Sequence, residues 1–430
     1  MNFFRLGSNS SDKGFTMNVS YTMVAGVLNQ LRWILLVWIA TQTLSVSDYG
    51  IFALITSLIL MAVDLSDLGI NASVTRFSAQ FFQKKQFNLF SFIIAYAFRR
   101  KCINACLAVG IMVLFSKQIS QLLFHSNDLY GFIIIGAGGV GLGLFNGLNM
   151  AIFQGKQAFA EILKVSIGSF ILSIIITGIL YLMGKLNLSG FIGIYIFILA
   201  SSLMLSGWKL KEDYWKGWNW KYESAEIKDE FKKFGNWMFI WAIICALQSR
   251  IDVVMLAQMT NTNQVAYYDI AMKYTRPLMM LFSAYGQVLQ PLMAGYQNKK
   301  EIVFCVKSTY SFLWKMSILL IMGILLANLG VKYIIGIQYL ESVIPLRVIL
   351  VGLIFFIWTM PYNTALYSMK KPYVFTIQSI IGLFVTIGGN YFILTEWGAI
   401  GASCVFLFVQ FTCLICSIIF YKWYMRKGNL

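Results

Sequence analysis

From Tyr130 to Phe153 the chain carries no charged side chain, and the same holds from Val165 to Met183, Val374 to Leu394 and Gly398 to Tyr421. About 20 apolar residues in a row suffice for a helix to cross a bilayer. Lipid offers backbone N–H and C=O groups no partner, so a chain made of such runs must close its hydrogen bonds within helices or within a barrel. The short alternating strands of a barrel are absent, leaving a polytopic helical bundle. Composition agrees: 59% of the 430 residues are hydrophobic and the mean hydropathy is +0.71, far outside the range of water-soluble domains.

Read in order, the runs give about twelve spans. The first covers Met17 to Leu44, with Asn29, Gln30 and Arg32 in its interior. The second starts near Tyr49 and is interrupted at Ser66–Asn71 (SDLGIN), where cap residues surround a glycine and a kink or restart is expected; it continues from Ala72 to Phe82. The third covers Phe90 to Phe115, with Arg99, Arg100 and Lys101 near its entrance, and a short interfacial helix is expected from Lys117 to Phe124. The fourth, Tyr130 to Phe153, is glycine-rich, which favours close packing. Ala160 to Met183 and Leu188 to Trp208 complete the first half. The polar stretch Lys209 to Lys233, with Tyr214, Trp215, Trp218 and Trp220, reads as a linker whose aromatics sit at headgroup level. The second half supplies Phe234–Met259, Gln264–Met293, Ile302–Leu329, Val343–Tyr367, Tyr373–Leu394 and Gly398–Trp423. The expected organisation is an N-terminal lobe of six helices over 1–208, a linker over 209–233 and a C-terminal lobe of six helices over 234–430.

The net charge of +17 would suggest nucleic acid in a soluble protein. Here the basic residues cluster between spans, and nearly all fall on one side; the other side shows only Lys117, Lys185 and Lys332. The positive-inside rule therefore expects both termini and the linker in the cytoplasm. The chain opens with polar residues through Asn18 before an apolar run too long for a cleavable signal, so none is expected. Cysteines lie in or beside the apolar runs; the Cys413-x-x-Cys416 pair reads as packing rather than redox or zinc chemistry.

The stretch Gln248 to Arg276 breaks the apolar pattern with Arg250, Asp252, Asp269, Lys273 and Arg276. Ionisable groups at bilayer depth face a bundle interior or a wet cavity. Asp269, Lys273 and Arg276 fall at i, i+4 and i+7 and so share one helix face. Two readings stay open: a cavity lining for an anionic substrate, or internal neutralisation of Lys273 by Asp269. The candidate substrate contacts are Arg32, Lys273, Arg276, Arg250 and Lys315, in that order, with Asn29 and Gln30 as polar lining; Asp64, Asp252 and Asp269 are candidates for coupling or gating. Asp67 reads as a helix cap, and Arg347 as a snorkelling residue near the outer surface.

The halves echo each other. SVSDYGIFAL around Tyr49 resembles TNQVAYYDIAM around Tyr267, SKQISQLLF resembles GVKYIIGIQYL, QGKQ at Gln154 pairs with SMKKP at Ser368, and GFIG at Gly190 pairs with GAIG at Gly398. Offsets of roughly 210 to 220 residues in a common order indicate duplication, which in transporters places the substrate path between lobes. Because each half has an even number of spans, the copies share an orientation and imply a pseudo-two-fold axis along the membrane normal.

The motifs S-x-x-D-Y-G-I-F from Ser45 and L-S-D-L-G-I from Leu65, with S-R-I-D-V-V-M-L from Ser249 and V-A-Y-Y-D-I-A from Val265, resemble those of polysaccharide-biosynthesis membrane proteins. That family belongs to the superfamily of multidrug and toxic-compound extruders and lipid-linked oligosaccharide flippases. The resemblance covers about Met17 to Tyr424, and its recurrent marks are Tyr49, Gly50 and Phe52 and then Asp67, Leu68 and Gly69. It implies a MATE-like fold and, with about twelve spans rather than the fourteen usual in lipid II flippases, the O-antigen type. The implied function is alternating-access translocation of an undecaprenyl-diphosphate-linked repeat unit across the bacterial inner membrane. The implied partners are the lipid-linked oligosaccharide, membrane lipid, and the polymerase and chain-length regulator of the same pathway, with no nucleic acid. An ion-coupled multidrug exporter of the same superfamily is the alternative, with Asp64, Asp252 or Asp269 as its ion site. A membrane enzyme acting on the same lipid would need a large external loop, yet only Lys117–Leu129 and Val331–Ser342 exceed a short turn. No phosphate cradle, metal-ligand cluster or nucleophile triad stands out, so neither catalysis nor a cofactor is expected.

Overall fold

A computed structural model describes residues 10–218, 229, 243–244, 246–294, 299–369 and 373–427. Among these residues there is no strand; the elements are α1 (Ser10–Thr43), α2 (Val46–Asp67), α3 (Ile70–Gln83), α4 (Phe87–Leu114), α5 (Ser116–Phe124), α6 (Tyr130–Gly155), α7 (Phe159–Leu182), α8 (Leu188–Trp218), α9 (246–259), α10 (Thr262–Ala294), α11 (Lys299–Ser308), α12 (Tyr310–Gly330), α13 (Val343–Ser368) and α14 (Tyr373–Lys427). A π-helical turn, Val331–Ile335, and a 3-10 helix, Ile337–Ser342, join α12 to α13.

Eight helices among the described residues are long and apolar enough to cross a membrane, or nine if the bent α4–α5 pair is one span. The difference from about twelve has identifiable causes. α10 is long enough but carries Asp269, Lys273 and Arg276. The start of the span expected at Phe234 lies outside the described residues. α14 runs for 55 residues but is broken at Gly398, whose φ of 48° and ψ of −127° leave the helical region, so it supplies two spans. The protein is a multi-pass, all-α membrane protein.

The chain forms two compact units. Unit 1 comprises residues 1–35, 58–121 and 126–243; unit 2 comprises 36–57, 122–125 and 244–430. In unit 1 the expected break in SDLGIN is present: Leu68 and Gly69 have φ of 50° and 70°, and the Asp67 carboxylate accepts the Asn71 N–H at 3.3 Å, capping α3. The glycines of α6 let it lie close to α2 and α3, since a methyl at Gly143, Gly147 or Gly155 would press on Val63, Asn71 or Ser78. α5 turns away from α4 by 64°, as an interfacial helix would.

Two expectations in unit 1 change. The linker was expected to begin at Lys209, but α8 continues to Trp218. Its last turns are amphipathic: Leu210 is buried, the Tyr214 hydroxyl donates to Asn149 Oδ1 at 2.5 Å, and Asp213 pairs with Lys156 at 2.8 Å. Polarity alone therefore did not end the helix. The side chains of Trp215, Trp218 and Trp220 lie outside the described residues. Lys101, expected near the entrance of the third span, is instead fully buried, because α4 starts at Phe87 and carries it well into the bundle. Its ammonium pairs with Asp67, and Asn104 donates to the Ser66 carbonyl at 2.9 Å beside it. Asp67 thus both caps α3 and neutralises Lys101.

In unit 2 the hairpin between α1 and α2 is fastened to the later helices. Gln42 donates to the Ile335 carbonyl at 2.7 Å, Gln338 to the Thr41 carbonyl at 2.8 Å, and the Ser47 and Thr262 hydroxyls are 2.9 Å apart. Gly50 sits against the Thr262 backbone so closely that a Cβ would strike its carbonyl oxygen. Gly50→Val should lower thermal stability in detergent by about 1–3 kcal/mol, an overpacking cost. Gly131→Ala, where an added methyl meets nothing, should leave the melting temperature unchanged or raise it slightly. Equal melting temperatures for the two variants would contradict the close approach.

Candidate functional site

α10 begins where the Asn261 side chain accepts the Gln264 N–H at 3.1 Å, and helical periodicity then stacks Asp269, Lys273 and Arg276 on one side. The structure divides this stripe in two. Asp269 and Lys273 form an ion pair at 2.7 Å, with only 1% and 9% of each residue exposed. The Tyr49 hydroxyl, from α2, donates to the same carboxylate at 2.9 Å. The Lys273 ammonium lies 5.5 Å from the ring centroids of both Tyr49 and Phe52, a cation–π arrangement. Tyr339 meets Tyr49 edge-on at 6.0 Å. Each charge is therefore met by its opposite and walled by aromatic rings, which is what a desolvated ion pair requires.

One turn further along α10, Arg276 lines a cavity of about 640 Å³ inside unit 2. Arg250 and Asp252 of α9 line it too, with Tyr268, Asn363, Gln378 and Gln410. Asp252 is held by the Tyr268 hydroxyl and by the Val253 N–H at 2.8 Å. Gln378 donates to the Ser417 hydroxyl at 2.8 Å and to Asn363 Oδ1 at 3.3 Å, which fixes the amide wall. Two guanidinium groups against one carboxylate leave the lining positive, and its other polar groups are amides and hydroxyls.

The remaining sequence candidates fall elsewhere. Arg32, with Asn29 and Gln30, is half-buried in unit 1, where its Nη1 donates to the Ser169 hydroxyl of α7 at 2.5 Å. Lys315 is exposed on α12 and does not line the cavity. Asp64 is exposed on α2 in unit 1. Arg347 donates through Nε to the Ile324 carbonyl at 3.2 Å. Asn363, Gln378 and Gln410 were not singled out from the sequence; the available signal was an amide side chain inside an otherwise uncharged span.

The profile of the family described as polysaccharide biosynthesis protein matches residues 15–297. The chain belongs to this family. The match spans Tyr49, Gly50 and Phe52, the Asp67–Gly69 break, and every charged residue of α9 and α10 described above. A Shigella flexneri protein named "Putative O-antigen transporter" is 23% identical over 312 residues, covering 70% of this chain and 72% of that protein. Among solved structures, lipid II flippase MurJ in an inward closed conformation matches with a TM-score of 0.74 at 14% identity, over 95% of this chain and 87% of that one. An inward-facing MATE multidrug resistance transporter of the MOP superfamily matches with a TM-score of 0.73 at 12% identity, over 94% and 96%. This member of the polysaccharide biosynthesis protein family therefore has the fold of MOP superfamily transporters along nearly its whole length.

Proposed function

We propose that the protein is a flippase that moves an undecaprenyl-diphosphate-linked oligosaccharide, an O-antigen or similar polysaccharide repeat unit, across the bacterial inner membrane by alternating access. The observation that carries this reading is the placement of Arg250 and Arg276 together in a cavity among membrane-spanning helices. Cations at that depth are costly unless a wet or anionic site uses them. Guanidinium forks suit the paired oxygens of a diphosphate, while the amides and Tyr268 suit sugar hydroxyls. The names of the Shigella flexneri relative and of the lipid II flippase point to the same class of cargo. Within this reading Arg276 and Arg250 hold the head group, Lys273 keeps Asp269 neutralised and α10 in register, and Arg32, Asn29 and Gln30 are further candidate contacts for the cargo. The protein makes and breaks no covalent bond. The termini lie in the cytoplasm, and the polymerase and chain-length regulator act on the delivered product.

A second reading, an ion-coupled exporter of small cations, draws on Asp252, a carboxylate in the same cavity. Deleting the gene separates the two. The flippase reading expects lipid-linked repeat units to accumulate on the cytoplasmic face; the exporter reading expects unchanged glycolipids and altered drug sensitivity.

Orientation has its own test. In a cysteine-free background, Lys185→Cys should react with an impermeant thiol reagent added to intact cells, and Lys85→Cys should react only after lysis. The reverse pattern would invert the proposed topology.

A further inference from the structure

A second cavity of unit 2, of about 430 Å³, lies where α9 turns into α10 and where α14 breaks. In the proposed orientation this end lies on the non-cytoplasmic side of the membrane. Gln264 of α10 accepts the Ala399 N–H at 2.8 Å, and any side chain at position 398 would collide with it, so the break in α14 is stapled to α10. The staple sets Glu396 and Trp397 at the cavity, with Trp397 57% exposed. Glu341 adds a second carboxylate to the lining, with Tyr267 a phenol and Asn261 an amide. No lysine, arginine or histidine is among the lining residues.

This chemistry selects among ligands. Two carboxylates without a cation reject a diphosphate. A calcium ion needs about six to eight oxygen ligands, and among the described residues no three acidic, histidine or cysteine side chains are grouped to hold a metal. A flat exposed indole beside acceptor-only carboxylates and amides fits a hydroxyl-rich ring with one apolar face. The volume falls within the roughly 300–1,000 Å³ range of small-molecule pockets. Gln264 and Arg276 are about 18 Å apart along α10 at 1.5 Å per residue, so the two cavities are separate stations on one helix. We infer that the outer cavity is a saccharide-binding site that takes the glycan of the cargo and repels its diphosphate. The identity of that glycan rests on the proposed flippase function; the existence of the site does not.

The test uses the purified full-length protein in nanodiscs, with oligosaccharides cut from the host cell's own surface polysaccharide and a series of chito-oligosaccharides as probes. Saturation-transfer NMR should show magnetisation passing to sugar ring protons. Trp397→Ala should weaken binding roughly tenfold, Trp397→Phe should retain most of it, and Glu396→Gln with Glu341→Gln should weaken it further. Inorganic pyrophosphate should not compete. Absence of transfer to every probe, transfer unchanged in Trp397→Ala, or competition by calcium or pyrophosphate would overturn the site. Failure of these outcomes alongside accumulation of lipid-linked units in the deletion strain would reject the outer site alone. Binding without accumulation would reject the flippase reading alone.

Discussion

Replacing Arg250 and Arg276 together with Gln is expected to reduce delivery of lipid-linked repeat units a hundredfold or more while membrane-inserted protein stays at its normal level. Each charge-assisted contact to a diphosphate is worth about 1.5–3 kcal/mol, or roughly ten- to over a hundredfold. Both replaced side chains line the cavity, and Asp252 keeps its bonds to Tyr268 and the Val253 N–H in this variant. Arg276→Lys retains the charge but loses the two-pronged geometry, so an intermediate defect is expected. Asp252→Asn makes the comparison decisive. If the cavity exported small cations, removing its carboxylate would be the severe change and removing the arginines a mild one. Surface display of the polysaccharide, normalised to protein in the membrane, reads both. Normal display in the double arginine variant would take the unit 2 cavity off the diphosphate path and leave Arg32 as the leading cation.

The parts of this molecule that the sequence disclosed are those for which the bilayer removes alternatives. Uncharged runs such as Gly398–Tyr421 close their backbone hydrogen bonds within helices, and a glycine between cap residues, as at Asp67–Asn71, favours a break. The burial of Lys101 and the extent of α8 stayed hidden for a different reason. Both depend on which face of a helix meets a neighbour, and periodicity gives the face without naming the neighbour. Lys101 needed Asp67, 34 residues away, and Tyr214 needed Asn149, 65 residues away. The cavity was half legible: its charges stand out in an apolar chain, but Asn363, Gln378 and Gln410 resemble the scattered polar residues of any span. The stripe on α10 shows the same limit. Its spacing was visible, yet the pairing of Lys273 with Asp269 also turned on Tyr49, 220 residues before Asp269.

That partnership makes the second large effect a matter of stability. Asp269→Asn or Lys273→Gln alone should each destabilise unit 2 by about 3–5 kcal/mol, because either leaves one buried charge without its counterpart. Tyr49→Phe removes one hydrogen bond to the carboxylate and should cost about 1 kcal/mol, with the ring contacts to Lys273 kept. The double variant Asp269→Asn with Lys273→Gln should recover most of the loss, since no charge then remains unpaired, and the coupling in this cycle measures the pair. Thermal unfolding in detergent supplies all four corners. Polysaccharide display in the same strains then decides what Lys273 does beyond pairing. A double variant that is both stable and active confines Lys273 to holding α10 against α2. One that is stable but inactive places the ammonium on the cargo path, and in that event the roughly ten- to over a hundredfold loss expected for a diphosphate contact should appear in transport with no matching shift in melting temperature.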